Sequence, residues 1–298
     1  MRAIRVLVAG IGIGVGAVGA GQAVSAIALP GGVVVTVTNA GDPAQLVDLT
    51  PVRTVGQVSV ESATQAVIGN FAGPGGSYDV SVDATSSSRI EVVDALPDGS
   101  YGVHSTHLGF SQTVTSGGEF AEDTFGPESY EALRGVPVAV SMSAQNARLS
   151  AAPVAGTTLT AEQSEAFAVF WAIPQIDPTV YPDQPVGVGG TWTVTLAPAL
   201  ADVTLPVTYT YTLVSVTGGQ NQVQFSATAD FSQATGAYVD GYSPGGTITS
   251  SGTITRTAND PLSWSLSMQT TNQLTVADGS AVATLNYDHW VELVSAPS

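Results

Sequence analysis

The sequence predicts a mainly β protein of the α+β class. The expected architecture is a large curved antiparallel sheet, or half-barrel, of about ten to twelve strands packed on one or two helices. Three observations predict it. Polar and apolar residues alternate in run after run between about residues 32 and 294. Glycine-containing turn pairs punctuate those runs, and one helical pattern interrupts them at 160–172.

The N-terminus comes first. Arg2 and Arg5 precede an uncharged run from Val6 to Ala20, and Val24-Ser25-Ala26 offers small residues for cleavage. That is the layout of a secretory signal peptide over residues 1–26. Arg2 and Arg5 are not adjacent, as a twin-arginine signal requires. The chain has no Cys, so the acylated lipoprotein route is closed. Residues 27–298 are then a single β-rich domain without disulfide staples, so burial must supply its stability. The expected product is secreted or held on the periplasmic side of the envelope, with no transmembrane anchor after cleavage.

Strands follow over about 32–153. Tyr78, Val80 and Val82 alternate with Ser77, Asp79, Ser81 and Asp83, the period of a sheet with one dry face. Asp98-Gly99 marks a turn, an acidic connection spans 116–135, and a hairpin spans 136–153. A short helix is a candidate at Glu128–Arg134. The main helix follows at 160–172: Thr160 and Gln163 form a capping box, with Glu162 and Glu165 in the first turn. Ala161, Phe167, Ala168, Phe170 and Trp171 make its apolar face, and Pro174 stops it.

A Pro/Gly hinge occupies 174–190, and the second β half runs over 191–294. There Val207, Tyr209, Tyr211 and Leu213 alternate with threonines, and Leu262, Trp264, Leu266 and Met268 alternate with serines. Gly218-Gly219, Asp240-Gly241 and Asp278-Gly279 supply the turn signals.

Charge narrows the function classes. Residues 27–298 hold five arginines, no lysine and 24 acids, a formal charge of −19. Such a surface repels phosphate backbones, so nucleic acid is excluded as a partner.

The segment Tyr181-Pro-Asp-Gln-Pro-Val-Gly-Val-Gly-Gly-Thr-Trp192 resembles a P-x-x-P-V-x-V-G-x-x-W hinge of poorly characterised exported proteins of actinobacterial type. Their architecture is similar to the half-barrel of LolA-type and mycobacterial lipoprotein carriers, in which a curved sheet embraces helices over an apolar cavity. The resemblance implies binding of an apolar ligand and carries over no catalytic residue. This chain departs from the mycobacterial lipoproteins in lacking the acylated Cys.

Motifs that could carry chemistry fail on their surroundings. Gly14-Val-Gly16-Ala-Val-Gly19 matches a dinucleotide fingerprint but lies in the signal peptide. Gly187, Gly189 and Gly190 lead into a strand, not a helix. Gly241-Tyr-Ser243-Pro244-Gly245 mimics an esterase elbow, yet Pro244 has no N–H to donate to an oxyanion, and the segment reads as a turn. His104 and His107 fall on opposite faces of a strand, and with His289 they read as surface or sheet-edge residues. Glu119, Glu122, Asp123, Glu128 and Glu131, near Phe120 and Phe125, lack the spacing of a calcium loop. No metal, no cofactor and no enzymatic activity are expected.

The aromatic residues gather in the helix and second half. Phe167, Phe170, Trp171, Trp192, Tyr209, Tyr211, Phe225, Trp264 and Tyr287 are the candidate lining of an apolar pocket, with core packing as the alternative use. Trp290 falls on the face opposite Tyr287. The expected function is an exported, non-catalytic binding or carrier protein for a lipid or other apolar small molecule. The alternative is a structural or interaction protein of the envelope or extracellular space, with a filled core.

Overall fold

Alternation of apolar and polar side chains organises the computed structural model, which describes residues 25–29, 33–73, 76–116, 131–171, 180–196, 199–200, 203–236, 242–258, 260–278 and 281–298. Strand β1 spans Ser25–Leu29, β2 Val33–Asn39, β3 Val58–Gly73, β4 Gly76–Ala95 and β5 Tyr101–Ser116. The hairpin β6 (Pro137–Met142) and β7 (Arg148–Pro153) precedes helix α1 (Ala161–Trp171). After it come β8 (Thr191–Leu196), β9 (Ala199–Leu200), β10 (Val203–Thr204), β11 (Val207–Thr217) and β12 (Gln220–Asp230). The chain ends in β13 (Thr235–Gly236), β14 (Tyr242–Thr257), β15 (Asp260–Asp278) and β16 (Ala281–Pro297).

Thirteen strands form one sheet in the order β1-β2-β8-β11-β12-β14-β15-β16-β3-β4-β5-β6-β7. Every ladder in it is antiparallel. The sheet is open, with β1 and β7 at its edges, and β9, β10 and β13 make a separate three-stranded sheet. The mainly β expectation holds, and the strand number exceeds the expected ten to twelve. The excess is in short pieces: β1 straddles the expected cleavage point after Ala26, and the two-residue strands are too short for alternation to reveal. The sheet joins both β halves, because the last strand pairs with the third: Trp290 faces Ala66 and Leu293 faces Ala63.

Turn chemistry sets the register. Gly218 and Gly219 lie at φ 62° and 78°, the type I′ geometry that matches the twist of the β11–β12 hairpin. Asp98 caps its turn by accepting from the Ser100 N–H at 3.0 Å. Asp240-Gly241, Gly279, residues 1–24 of the expected signal sequence with Gly14–Gly19, and the acids Glu119, Glu122, Asp123 and Glu128 with Phe120 and Phe125 lie outside the described residues. Of the helix expected at Glu128–Arg134, the described part is a single turn at 131–132.

Helix α1 has the capping box its sequence predicts. Thr160 Oγ1 accepts from the Gln163 N–H at 3.2 Å, and the Thr160 N–H donates to Gln163 Oε1 at 3.0 Å. Among its described side chains, Ala166 and Phe167 reach the core. Ala161 is exposed. Ala166 packs on Leu133, and Phe167 packs on both Leu133 and the Val92–Val140 cluster. The described core is built mainly by the sheet's own strands and loops, with Ala166 of α1 buried against Leu133. The alternating strands β8, β11 and β12 already bring large apolar side chains to one face, and the loop residues Leu49, Val180, Val186 and Leu205 cover them. No described helix is long and apolar enough to cross a membrane.

The Tyr181–Trp192 segment is tied to the body of the sheet. Val186 exchanges both backbone hydrogen bonds with Val47, at 2.9 and 3.0 Å. Gly187 donates to the Ala40 carbonyl at 2.7 Å, and a Cβ on Gly187 would sit 2.0 Å from the Asp42 carbonyl oxygen. Only glycine permits that approach. Trp192 then enters β8 fully buried, and its indole N–H donates back to the Val180 carbonyl at 3.0 Å.

Candidate functional site

Cross-strand register puts residues of β14, β15, β16, β3, β4, β5 and β6 on one inner face. Along the β14-to-β6 part of that face the side chains leave a cavity of about 410 Å³. Val92, Val103, Val140, Met142, Trp264 and Leu293 give its apolar wall. On a flat sheet the six steps from β14 to β6 would span about 29 Å at roughly 4.8 Å per step. Both strands line this one cavity, so the face bends around it.

The cavity collects positive charge. Among the described residues, Arg53, Arg148 and Arg256 line it with one carboxylate, Glu61. These are three of the five arginines in residues 27–298. The other two sit in exposed local ion pairs: Arg89 with Glu91 at 2.6 Å, and Arg134 with Glu131 at 3.3 Å.

A chain of contacts gathers the three guanidinium groups around the β6–β7 loop. Arg53 lies over the Tyr101 ring, 5.4 Å from its centroid, and the Tyr101 hydroxyl donates to Asn146 Oδ1 in that loop. Asn146 holds φ 68°, a left-handed turn position that asparagine tolerates. Next to it, the Gln145 carbonyl accepts from the Tyr181 N–H at 2.9 Å. Arg256 lies over the Tyr181 ring at 5.1 Å, and Arg148 follows Asn146 by two residues. Arg256 is 8% exposed; its Nη1 donates to the Leu49 carbonyl, and among the described residues no carboxylate pairs with it. The carbonyl and the aromatic face solvate this buried cation without neutralising it.

The other end is weakly polar. Gln65, Ser86, Ser105 and His107 line it beside Leu133 and Val136. Burial pushes the His107 imidazole below its usual range, with Glu131 opposing and Arg134 adding to the shift. Further along the inner face a polar band crosses the sheet. Ser250 Oγ and Thr270 Oγ1 lie 2.6 Å apart, and His289 Nε2 lies 3.1 Å from Gln65 Oε1. Burial pushes His289 down to about 4 and raises the Tyr287 hydroxyl above its ordinary value. Asn272, between Ile248 and Tyr287, is fully buried with neither amide atom hydrogen-bonded.

The expected pocket residues separate. Trp264 lines the cavity. Trp192, Tyr209, Tyr211, Phe225 and Tyr287 belong instead to the filled core, where Trp192 stacks on Tyr211 at 5.2 Å and Tyr209 on Tyr211 at 5.9 Å. Phe167 packs beside the cavity wall, against the cluster that includes Val92 and Val140. The side chains of Phe170 and Trp171 lie outside the described residues. Trp290 is half-buried on the outer face.

Among the histidines, His104 and His107 do take opposite faces. The surface reading is corrected for His107 and His289, which point to the inner face. Ser243 and Pro244 stand inside β14, paired with Ala277 and Val276, so the turn reading gives way to strand. Among the described residues, no group of three or more His, Asp or Glu is placed to hold a metal ion.

The arginine cluster was the missed feature. Its signal was parity: Arg256 alternates with Ile254 and so belongs to the dry face of β14.

No protein-family model matches this chain, and no curated protein matches it. Two solved structures align over most of its length. DynF, from the dynemicin biosynthesis pathway of Micromonospora chersina, is 11% identical and covers 95% of each chain at a TM-score of 0.21. OccK7 (OpdD) of Pseudomonas aeruginosa is 7% identical and covers 81% of this chain and 100% of its own at 0.22. At those scores neither alignment carries an argument about fold or function.

Proposed function

We propose that this protein is an exported, non-catalytic binding or carrier protein for a lipid-like apolar ligand, built as a half-barrel around its binding space. The observation that supports the reading is the 410 Å³ cavity on the inner face. Its size falls in the range of small-molecule sites, and its wall is mostly apolar with a few convergent polar groups. A structural protein with a filled core has no use for such a space, because an unfilled apolar volume costs stability. The basic and apolar N-terminal sequence supports export.

The test is calorimetric titration of residues 27–298 with dodecanol. One-to-one binding is expected, lost in Val140→Phe, which fills the cavity from β6. Unchanged binding in a folded Val140→Phe variant would place the ligand elsewhere, and failure of dodecanol and of the anionic chains named below would end the carrier reading.

A further inference from the structure

We infer that the ligand is a single-chain amphiphile with a compact oxyanion head, seated with that head among Arg53, Arg148 and Arg256 and its chain along Val140 and Trp264. This rests on the carrier reading and adds the chemistry of the head.

Three facts carry it. The described lining residues bring three guanidinium groups and one carboxylate together, a net formal charge of +2 among them, in a chain whose residues 27–298 total −19. A strongly acidic protein that places most of its cations around one cavity has made a spot where an anion is attracted rather than repelled. Arg256 is nine-tenths buried, lines the cavity, and has only a carbonyl and an aromatic face as partners. A buried cation of this kind is neutralised when an oxyanion arrives, and guanidinium groups match carboxylate and phosphate oxygens in bidentate geometry. The charge is also confined to one end. The wall beyond it is apolar, and the far end offers serines, Gln65 and a His107 held toward its neutral form. A ligand charged along its length does not match that gradient, whereas one with an anionic head and an apolar tail does.

The experiment compares three probes of equal chain length on residues 27–298: dodecanoate, dodecyl phosphate and dodecanol, by calorimetry at low and at physiological salt. Both anions are expected to bind at least ten-fold tighter than dodecanol, and the tighter of the two identifies the head as carboxylate or phosphate. Arg256→Gln should narrow the gap between the anions and dodecanol ten-fold or more. Arg148→Gln, at a less buried position, should narrow it in the same direction and serves if Arg256→Gln fails to fold. Equal binding of all three probes overturns the oxyanion head and leaves the carrier reading standing. So does an anion preference that survives both substitutions. Binding of none removes the carrier reading itself.

Discussion

One face of one sheet is packed in one place and hollow in another. Around β8, β11 and β12 the inner residues are Trp192, Tyr209, Tyr211 and Phe225, whose rings pack on one another with centroids 5.2 to 6.3 Å apart. Across β3 to β6 the same parity delivers Ala63, Val103, Val138 and Val140, together with serines at 86, 88 and 105. The strand pattern is alike; only side-chain volume differs. Volume at inner positions, not strand alternation, thus decides where the inner face is packed and where it keeps room for something else.

The sharpest way to break that comparison is one substitution made in each region. Trp192→Ala removes a fully buried, stacked indole and leaves the Val180 carbonyl without its donor. It should cost about 3–5 kcal/mol, the range of large-to-alanine changes in filled cores. Trp264→Ala removes a half-buried indole that already borders empty space, so it loses burial without opening a new cavity. About 1–2 kcal/mol is expected. Urea unfolding of both variants measures the difference; equal costs would mean that the two regions are packed alike.

His289 lies between the two regions, next to Thr270 on β15 and Val67 on β3. Its folded value of about 4 lies below the ordinary 6.5 because burial disfavours the imidazolium. The unfolded chain therefore takes up this proton first as pH falls. The stabilising contribution is complete above about pH 6.5, declines as pH drops, and is gone once pH passes below about 4, a total of up to about 3 kcal/mol. His289→Gln keeps a polar group beside Gln65 and removes the titration. The wild-type protein should lose stability relative to this variant between about pH 6.5 and 4. Parallel slopes for the two proteins would contradict the burial of His289.

The sequence made the architecture legible and the hollow illegible, for separable reasons. Alternation in β11 and β15 named the inner residues correctly, the Thr160–Gln163 capping box marked α1, and Gly218-Gly219 marked its turn. The aromatics were natural candidates for a pocket, but large side chains on adjacent strands fill space. Trp192 and Tyr211 are cross-strand partners and so stack on each other instead of lining a void. The cavity needs the pairing of β16 with β3, a contact between residues more than two hundred positions apart, such as Leu293 and Ala63. No local pattern encodes that ladder. Arg53, Arg148 and Arg256 are equally dispersed in sequence and meet only through the β6–β7 loop and Tyr181.

The smallest predicted effect runs opposite in sign and probes the filled region. Asn272 occupies an inner position of β15, between Leu274 and Thr270 in the alternation, and is wholly buried. Its cross-strand neighbours are Ile248 and Tyr287, and neither amide atom has a hydrogen-bond partner. An amide brought out of water without replacement bonds carries a desolvation penalty, whereas an apolar side chain of similar size carries none. Asn272→Leu should therefore stabilise the protein by about 1–2 kcal/mol, read as a higher urea midpoint with an unchanged slope. A loss of stability in Asn272→Leu would mean that the amide is satisfied by solvent reaching this depth, and the packed region would then be more open than its aromatic stack implies.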